Sequence, residues 1–217
     1  MTTAVELAQD EYVVDNARLR AFITEVRRIQ GERHDPRDIL EAIRPHFADL
    51  LADKSWLPEQ YQEPAEGSGM GSGIGTWLLY RASDGELALS ALVVPPGAQT
   101  PVHDHLAWGL VGLYRGTQDE DVFTRTDDGS HEDEASLEIM ESRALHPGDF
   151  YALLPETDIH RVRTTSDVTS VSLHLLGIDN GCIWRHRFLP DEGKVVPFKS
   201  GYVNVPCDDE GDGVMGG

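Results

Sequence analysis

From residue 76 to residue 198 the chain reads as short strand-like runs broken by turn dipeptides, and this rhythm limits the fold more than any other feature. Candidate strands fall at 76–82, 86–94, 109–115, 120–126, 136–143, 149–154, 158–163, 168–176, 182–188 and 194–198. The breaks include Asp84-Gly85, Pro95-Pro96-Gly97, Asp128-Gly129, Pro147-Gly148 and Asn180-Gly181, residue pairs that supply the unusual φ angles tight turns need. Many short strands at regular spacing close into a barrel or pack as two sheets, because either solution limits exposed edges. Both leave a mouth in which a ligand can bind.

The first part of the chain has a different period. Val5, Leu7, Ala8, Val14, Leu19, Phe22, Ile23, Val26 and Ile29 recur at helical spacing and predict one or two amphipathic helices over 4–29. Asp35 before Pro36 is a capping residue followed by proline at the first helical position. Ile39, Leu40, Ile43, Phe47, Leu50 and Leu51 then continue a core-facing stripe to about residue 53. Residues 56–75 read as a loop, ending in a glycine-rich run from Gly67 to Gly75 that lacks the lysine and the following helix of a phosphate-binding loop. This run is expected to be flexible, near a site mouth. The predicted organisation is a helical extension (1–55) packed on a β domain (56–206), with a disordered acidic, glycine-rich tail (207–217).

Composition narrows the partners. The formal net charge is −20, a field that repels phosphate backbones, so nucleic acid is not an expected partner. Most of that charge serves solubility. An anionic ligand would need a local positive site inside the fold. No apolar stretch is long enough to span a membrane, and Met1 to Val14 lacks the pattern of a secretory signal. Cys182 and Cys207 are the two cysteines. They make no disulfide framework and lack metal-site spacing, so a cytoplasmic, reducing location is expected. The oligomeric state, monomer or homodimer, is open.

The chemistry-bearing segment is 97–116. His103 and His105 stand two apart, and alternate strand residues share a face, so two imidazoles can converge on one ion. Imidazole suits iron, nickel, copper and zinc. Gly97, Pro101 and Gly116 frame the pair. Further along, Gly148, Pro155 and His160 form a second glycine–proline–histidine spine. A strand histidine held by hydrogen bonds is the plainer account of His160 alone; beside the first motif, a third ligand is the better one.

These two segments resemble the two signatures of the cupin family. Gly97, His103, His105 and Gly116 fall in place, and Gly109 stands where most cupins carry a glutamate ligand. In the second signature one extra residue lies between Gly148 and Pro155, Thr157 replaces a glycine, and Thr164 replaces an asparagine. The resemblance implies a mainly β cupin double-stranded β-helix (jelly-roll) barrel with an N-terminal α-helical extension. It also implies a neutral site of His103, His105 and His160. Without the glutamate, a bound ion would keep its full charge and could attract an anion.

The stretch from Thr100 to Gly116, with its His-Asp-His and the following Trp108-Gly109, is similar in particular to the thiol dioxygenases, the group of cysteine dioxygenase and the bacterial 3-mercaptopropionate dioxygenases. That likeness runs from about Trp77 to Phe188. It implies ferrous iron, Fe(2+), as cofactor, and dioxygen plus a small thiol as substrates, with a sulfinate as product. Ser172 and His174 match two members of the group's serine–histidine–tyrosine relay, whereas Leu176 replaces the tyrosine. Arg185 occupies the place of the arginine that binds the substrate carboxylate in bacterial members. Arg81 lies near the place of the arginine used by the animal enzymes. The cysteine–tyrosine crosslink of the animal enzymes has no counterpart, because Gly109 and Leu176 stand near those two places.

The residues also admit plainer accounts. Arg185 lies in Trp184-Arg185-His186-Arg187, where pairing with surface acids is an alternative to clamping a carboxylate through two hydrogen bonds. His174 is either a core histidine held by Ser172 or a group that works beside the ion. Trp108 and Tyr114 are expected in barrel packing, with Trp108 also a candidate for the site mouth. His34, His46, His131, His146 and His186 have no paired spacing and receive no role. Two other outcomes suit the same motif. Leu176 cannot donate a hydrogen bond, so cysteine oxidation diverted to a sulfur–nitrogen bonded product is one. A non-catalytic metal-binding cupin, or a dioxygenase of diketones or catechols, is the other.

Overall fold

The computed structural model describes residues 9–207. Of the tail expected to be disordered, 207–217, only Cys207 is described; its residues 208–217 and the positions Val5, Leu7 and Ala8 lie outside the described residues.

The chain opens with β1 (Glu11–Tyr12), α1 (Ala17–Glu32) and α2 (Pro36–Ala52). The first helix starts later than the apolar spacing predicted. Glu11 and Tyr12 instead pair with a strand through Arg81 and Tyr80, and the Asn16 side chain accepts the Leu19 N–H as a cap. Asp35 caps the second helix by accepting the Arg37 N–H, with Pro36 at the first helical position, as expected.

Eleven further strands follow: β2 (Gly75–Arg81), β3 (Ala88–Val94), β4 (Val102–His103), β5 (Gly109–Arg115), β6 (Gln118–Arg125), β7 (Leu137–Leu145), β8 (Phe150–Leu153), β9 (His160–Thr164), β10 (Ser170–Leu176), β11 (Arg185–Leu189) and β12 (Lys194–Phe198). They form two antiparallel sheets, ordered β1-β2-β3-β10-β5-β8 and β12-β11-β4-β9-β6-β7. This is the mainly β, double-sheet barrel with a helical N-terminal part that the sequence led us to expect. Only β1 and β4, two residues each, lie outside the candidate strands.

Strand alternation places the site. In β10, Val171, Leu173 and Leu175 join Leu89, Ala91, Val93 and Leu110 in one core cluster with the apolar faces of α1 and α2. The alternate residues Ser172, His174 and Leu176 therefore face the second sheet. Gly112 lets the helices approach: a Cβ there would meet Leu51 and, at 2.8 Å, Phe47. Fully burying each of the helices' leucines, isoleucines and phenylalanines contributes roughly 1.5–3 kcal/mol. The helices thus seal one face of the barrel and leave its interior for polar groups.

Cys182 and Cys207 are joined by a disulfide, which corrects the expectation that they stay unpaired. The pairing removes the ground on which a reducing location was expected. No helix among the described residues is long and apolar enough to cross a membrane.

Candidate metal centre and its cavity

His103 ends β4 and sits in register with His160 of β9 and Arg187 of β11. The chain then leaves the strand, and His105 is placed by a loop pinned on two sides. The Asp158 carboxylate accepts the backbone N–H groups of His105 (2.8 Å) and Leu106 (2.7 Å). The Asn180 amide donates to the His105 carbonyl at 2.5 Å. Leu106 takes the left-handed conformation, φ 56°, which is strained for a leucine. The two N–H bonds to Asp158 hold it there.

The three rings form a nearly equilateral triangle, with centroid separations of 5.0, 4.9 and 4.9 Å. Each residue is all but fully buried, and one nitrogen from each lies within 4.8 Å of the others. Burial, then the nearby His160 and Arg185, pushes the His103 and His105 rings well below the usual histidine range. Both are therefore neutral, with a lone pair to offer.

The Pro101 carbonyl fixes His103 through Nδ1 at 2.9 Å. Nδ1 of His160 meets Glu120 Oε1 at 2.5 Å. His160 Nε2 and His105 Nδ1 are buried without any partner, and buried polar atoms are rarely left so. The fit is to a cation that takes neutral nitrogen ligands, so this buried group can bind a metal.

Glu120 is a functional residue the sequence reading missed. It is fully buried, and its second oxygen accepts from Arg143 Nε at 2.6 Å. Burial opposes its ionisation, but the bond from His160 and the Arg143 charge outweigh that and hold the carboxyl below its usual range. A carboxylate on the outer nitrogen of a ligand histidine fixes its tautomer and raises its basicity. In sequence Glu120 is one member of the acidic run Asp119-Glu120-Asp121. The signal was its period-two spacing with Gln118 and Val122, which share its buried face.

Beside the triangle, Ser172 Oγ and His174 Nε2 are 3.1 Å apart, and the His174 ring lies 6.0 Å from that of His105. Burial, then His160 and Arg185, lowers the His174 pKa to about 3, so this ring too is neutral.

Arg185, the first residue of β11, is 4% exposed. Its Nη1 donates to the Asp104 carbonyl at 2.5 Å, its guanidinium carbon lies 4.5 Å from the Phe198 ring centre, and Nε has no partner. Burial lowers its pKa to about 10, against the opposing pull of Asp104, Tyr202 and Asp158. It stays charged at neutral pH. Among the described residues no carboxylate forms an ion pair with it, which sets aside the surface-pair account.

A cavity of about 30 Å³ joins these groups, lined by His103, His105, His174, Leu176 and Arg185, with Thr76, Ser90, Asn180, Gly181, Ser200 and Tyr202. Met70 closes it from the glycine-rich loop, whose Gly69 N–H bonds the Ser200 carbonyl at 2.7 Å. The loop is thus at the site, as its position suggested.

Two named residues lie elsewhere. Arg81 bonds Glu11 at 2.7 Å and reaches Asp179 at 3.5 Å. The pairing of β1 with β2 brings the Glu11 carboxylate to it, and it does not line the cavity. Trp108 packs on the helix-side core and against Gly177. It serves the packing role and not the mouth.

No protein-family model matches the chain. Several solved structures share part of its fold. A cupin 2 conserved barrel domain protein from Salinispora arenicola is 18% identical, with 54% of this chain and 87% of that chain covered at a TM-score of 0.37. An uncharacterised double-stranded β-helix protein from Klebsiella pneumoniae is 11% identical, covering 59% and 88% at 0.41. An oxalate oxidase is 17% identical, covering 46% of this chain at 0.36, and the match spans only 45% of that enzyme's length. The assignment of the fold as a double-stranded β-helix barrel rests on the strand order and register given above.

Proposed function

We propose that the protein is a non-haem iron(II) dioxygenase that adds dioxygen to the sulfur of a small thiol carboxylate, of the cysteine or 3-mercaptopropionate type. Both oxygen atoms go to sulfur, R–SH + O₂ → R–SO₂H, so no external reductant is needed. One observation carries the reading: a buried guanidinium without a carboxylate partner opens on the same small cavity as His103 and His105, two of the three converging imidazoles. Such a cavity suits a ligand with an anion at one end and a metal-seeking atom at the other.

His103, His105 and His160 would hold ferrous iron, which supplies a Lewis acid for the thiol and a reductant for dioxygen. Arg185 takes the carboxylate through its free N–H groups and fixes the distance of sulfur from the histidines. His174, neutral and held by Ser172, orients polar atoms of the ligand without taking a proton at neutral pH. Leu176 gives the remaining wall an apolar surface. The cavity is small, so a thiol acid displaces part of the wall as it binds. Met70, with three flexible bonds, is the element best suited to yield.

Thiol-dependent oxygen uptake by ferrous-loaded protein, with the product identified by mass, tests the proposal. Arg185→Lys keeps the charge but loses the planar fork, and should raise KM for 3-mercaptopropionate at least tenfold. An unchanged KM would remove the clamp. A product with a new sulfur–nitrogen bond from cysteine would replace the sulfinate outcome. Bound zinc with no oxygen uptake would mark a non-catalytic metal-binding protein, and uptake on a diketone or catechol without any thiol would mark a carbon oxygenase.

A further inference from the structure

We infer that Thr76 is a specificity-determining residue of this cavity, its hydroxyl forming with Arg185 a two-residue subsite for the substrate carboxylate. The inference rests on the reading of Arg185 as a carboxylate clamp and adds a residue to it.

Thr76 lies in β2 and pairs with Leu92 of β3, which pairs in turn with Ser172 of β10. It is therefore on the barrel-interior row next to that of His174. The residue is 7% exposed, its Oγ1 is fully buried, and the hydroxyl has no hydrogen-bond partner. Thr76 nevertheless lines the cavity. A buried hydroxyl without a partner is a cost to the ligand-free fold, and valine has the same shape without that cost. Leu92, directly opposite it, and Leu78, next on the same face of its strand, are apolar, while Ser90 and Ser172 lie one step further across the sheet.

Arg185, in the second sheet, lines the same cavity, and its Nε is likewise a buried donor without a partner, as Nδ1 of His105 is a buried polar atom without one. One short segment links Thr76 and Arg185. Phe198 pairs with Arg185 between β11 and β12 and lies under its guanidinium. Five residues on, the Val203 N–H donates to the Thr76 carbonyl at 2.9 Å. No aspartate or glutamate lines the cavity, so a ligand there meets donors and a positive charge. A carboxylate has room on its two oxygens for a bidentate guanidinium and for a hydroxyl. The two orphaned donors match that demand.

The test is Thr76→Val, with Thr76→Ser as the conservative control. Anaerobic calorimetry of ferrous-loaded and metal-free protein would use 3-mercaptopropionate and ethanethiol, which lacks the carboxylate, as probes. Because the hydroxyl has no partner in the protein, Thr76→Val should leave the Tm of ligand-free protein unchanged or higher. It should weaken 3-mercaptopropionate at least tenfold and leave ethanethiol unaffected, and Thr76→Ser should bind as the native chain does. Equal 3-mercaptopropionate affinity in Thr76→Val, or an equal loss for ethanethiol, overturns the subsite. A lowered Tm in ligand-free Thr76→Val overturns it as well, since the hydroxyl would then have a structural partner. Thr76-dependent binding without thiol-dependent oxygen uptake supports the subsite while refuting the dioxygenase reading.

Discussion

Leu176 occupies the space that a side chain at Gly109 would need. A Cβ at position 109 would meet Leu176 Cδ2 and, at 2.5 Å, the Leu175 carbonyl oxygen, because Gly109 and Leu176 are direct partners between β5 and β10. The sequence shows two departures from the thiol dioxygenase pattern, a glycine and a leucine. In the fold they are one packing solution. Gly109→Ala should therefore destabilise the protein by about 1–3 kcal/mol. Leu176→Ala in the same chain should recover only part of that, because the Leu175 carbonyl remains. Urea denaturation of the single and double variants measures both.

Glu120 holds His160 from behind. Glu120→Gln keeps the size of the side chain but removes the negative charge, and should weaken metal binding by about tenfold to a hundredfold. Competition with a chromogenic chelator reads this without reference to turnover. Equal affinity would mean that the carboxylate serves only Arg143.

His174 gives the metal-free protein a pH signature. The folded ring titrates near 3 because it is buried, whereas the unfolded chain's histidine titrates at about 6.5. Below that value the unfolded state binds the extra proton. The contribution is complete above about pH 6.5 and is lost as pH falls toward 3. Its slope is about 1.4 kcal/mol per pH unit. In His174→Gln the pH dependence of the unfolding free energy should lose about one proton over this window; an unchanged slope would place the titrating group elsewhere.

The Cys182–Cys207 disulfide closes a 25-residue span that includes Arg185, Ser200 and Tyr202. Tyr202 donates to Asp179 at 2.7 Å and accepts from the Gly181 N–H at 3.1 Å, so this span also walls the cavity. Its removal in Cys182→Ser/Cys207→Ser should cost about 3 kcal/mol of stability. Amide exchange should rise first in residues 199–207.

Much of the fold was legible because strand alternation and turn chemistry are local. The ranges at 109–115 and 194–198 coincide with β5 and β12, and Asp35-Pro36 marks the start of α2. The start of α1 was not legible, since Val14 continues the helical spacing while strand pairing of Glu11 and Tyr12, a long-range contact, decides the conformation. The three histidines were visible as motif residues. Glu120, Asp158, Asn180 and Thr76 were not: Glu120 acts through His160, 40 residues on, Asp158 and Asn180 act through His105, 53 and 75 residues back, and Thr76 has no partner. The cysteines paired because the chain brings residue 207 back beside Gly181, which spacing alone does not reveal.

The most direct test of the account is oxygen consumption by protein reconstituted anaerobically with ferrous iron and then given 3-mercaptopropionate. The account predicts one iron per chain, one dioxygen consumed per thiol, and loss of both binding and uptake in His160→Ala. Full uptake in His160→Ala, or uptake that proceeds without any thiol, would contradict it.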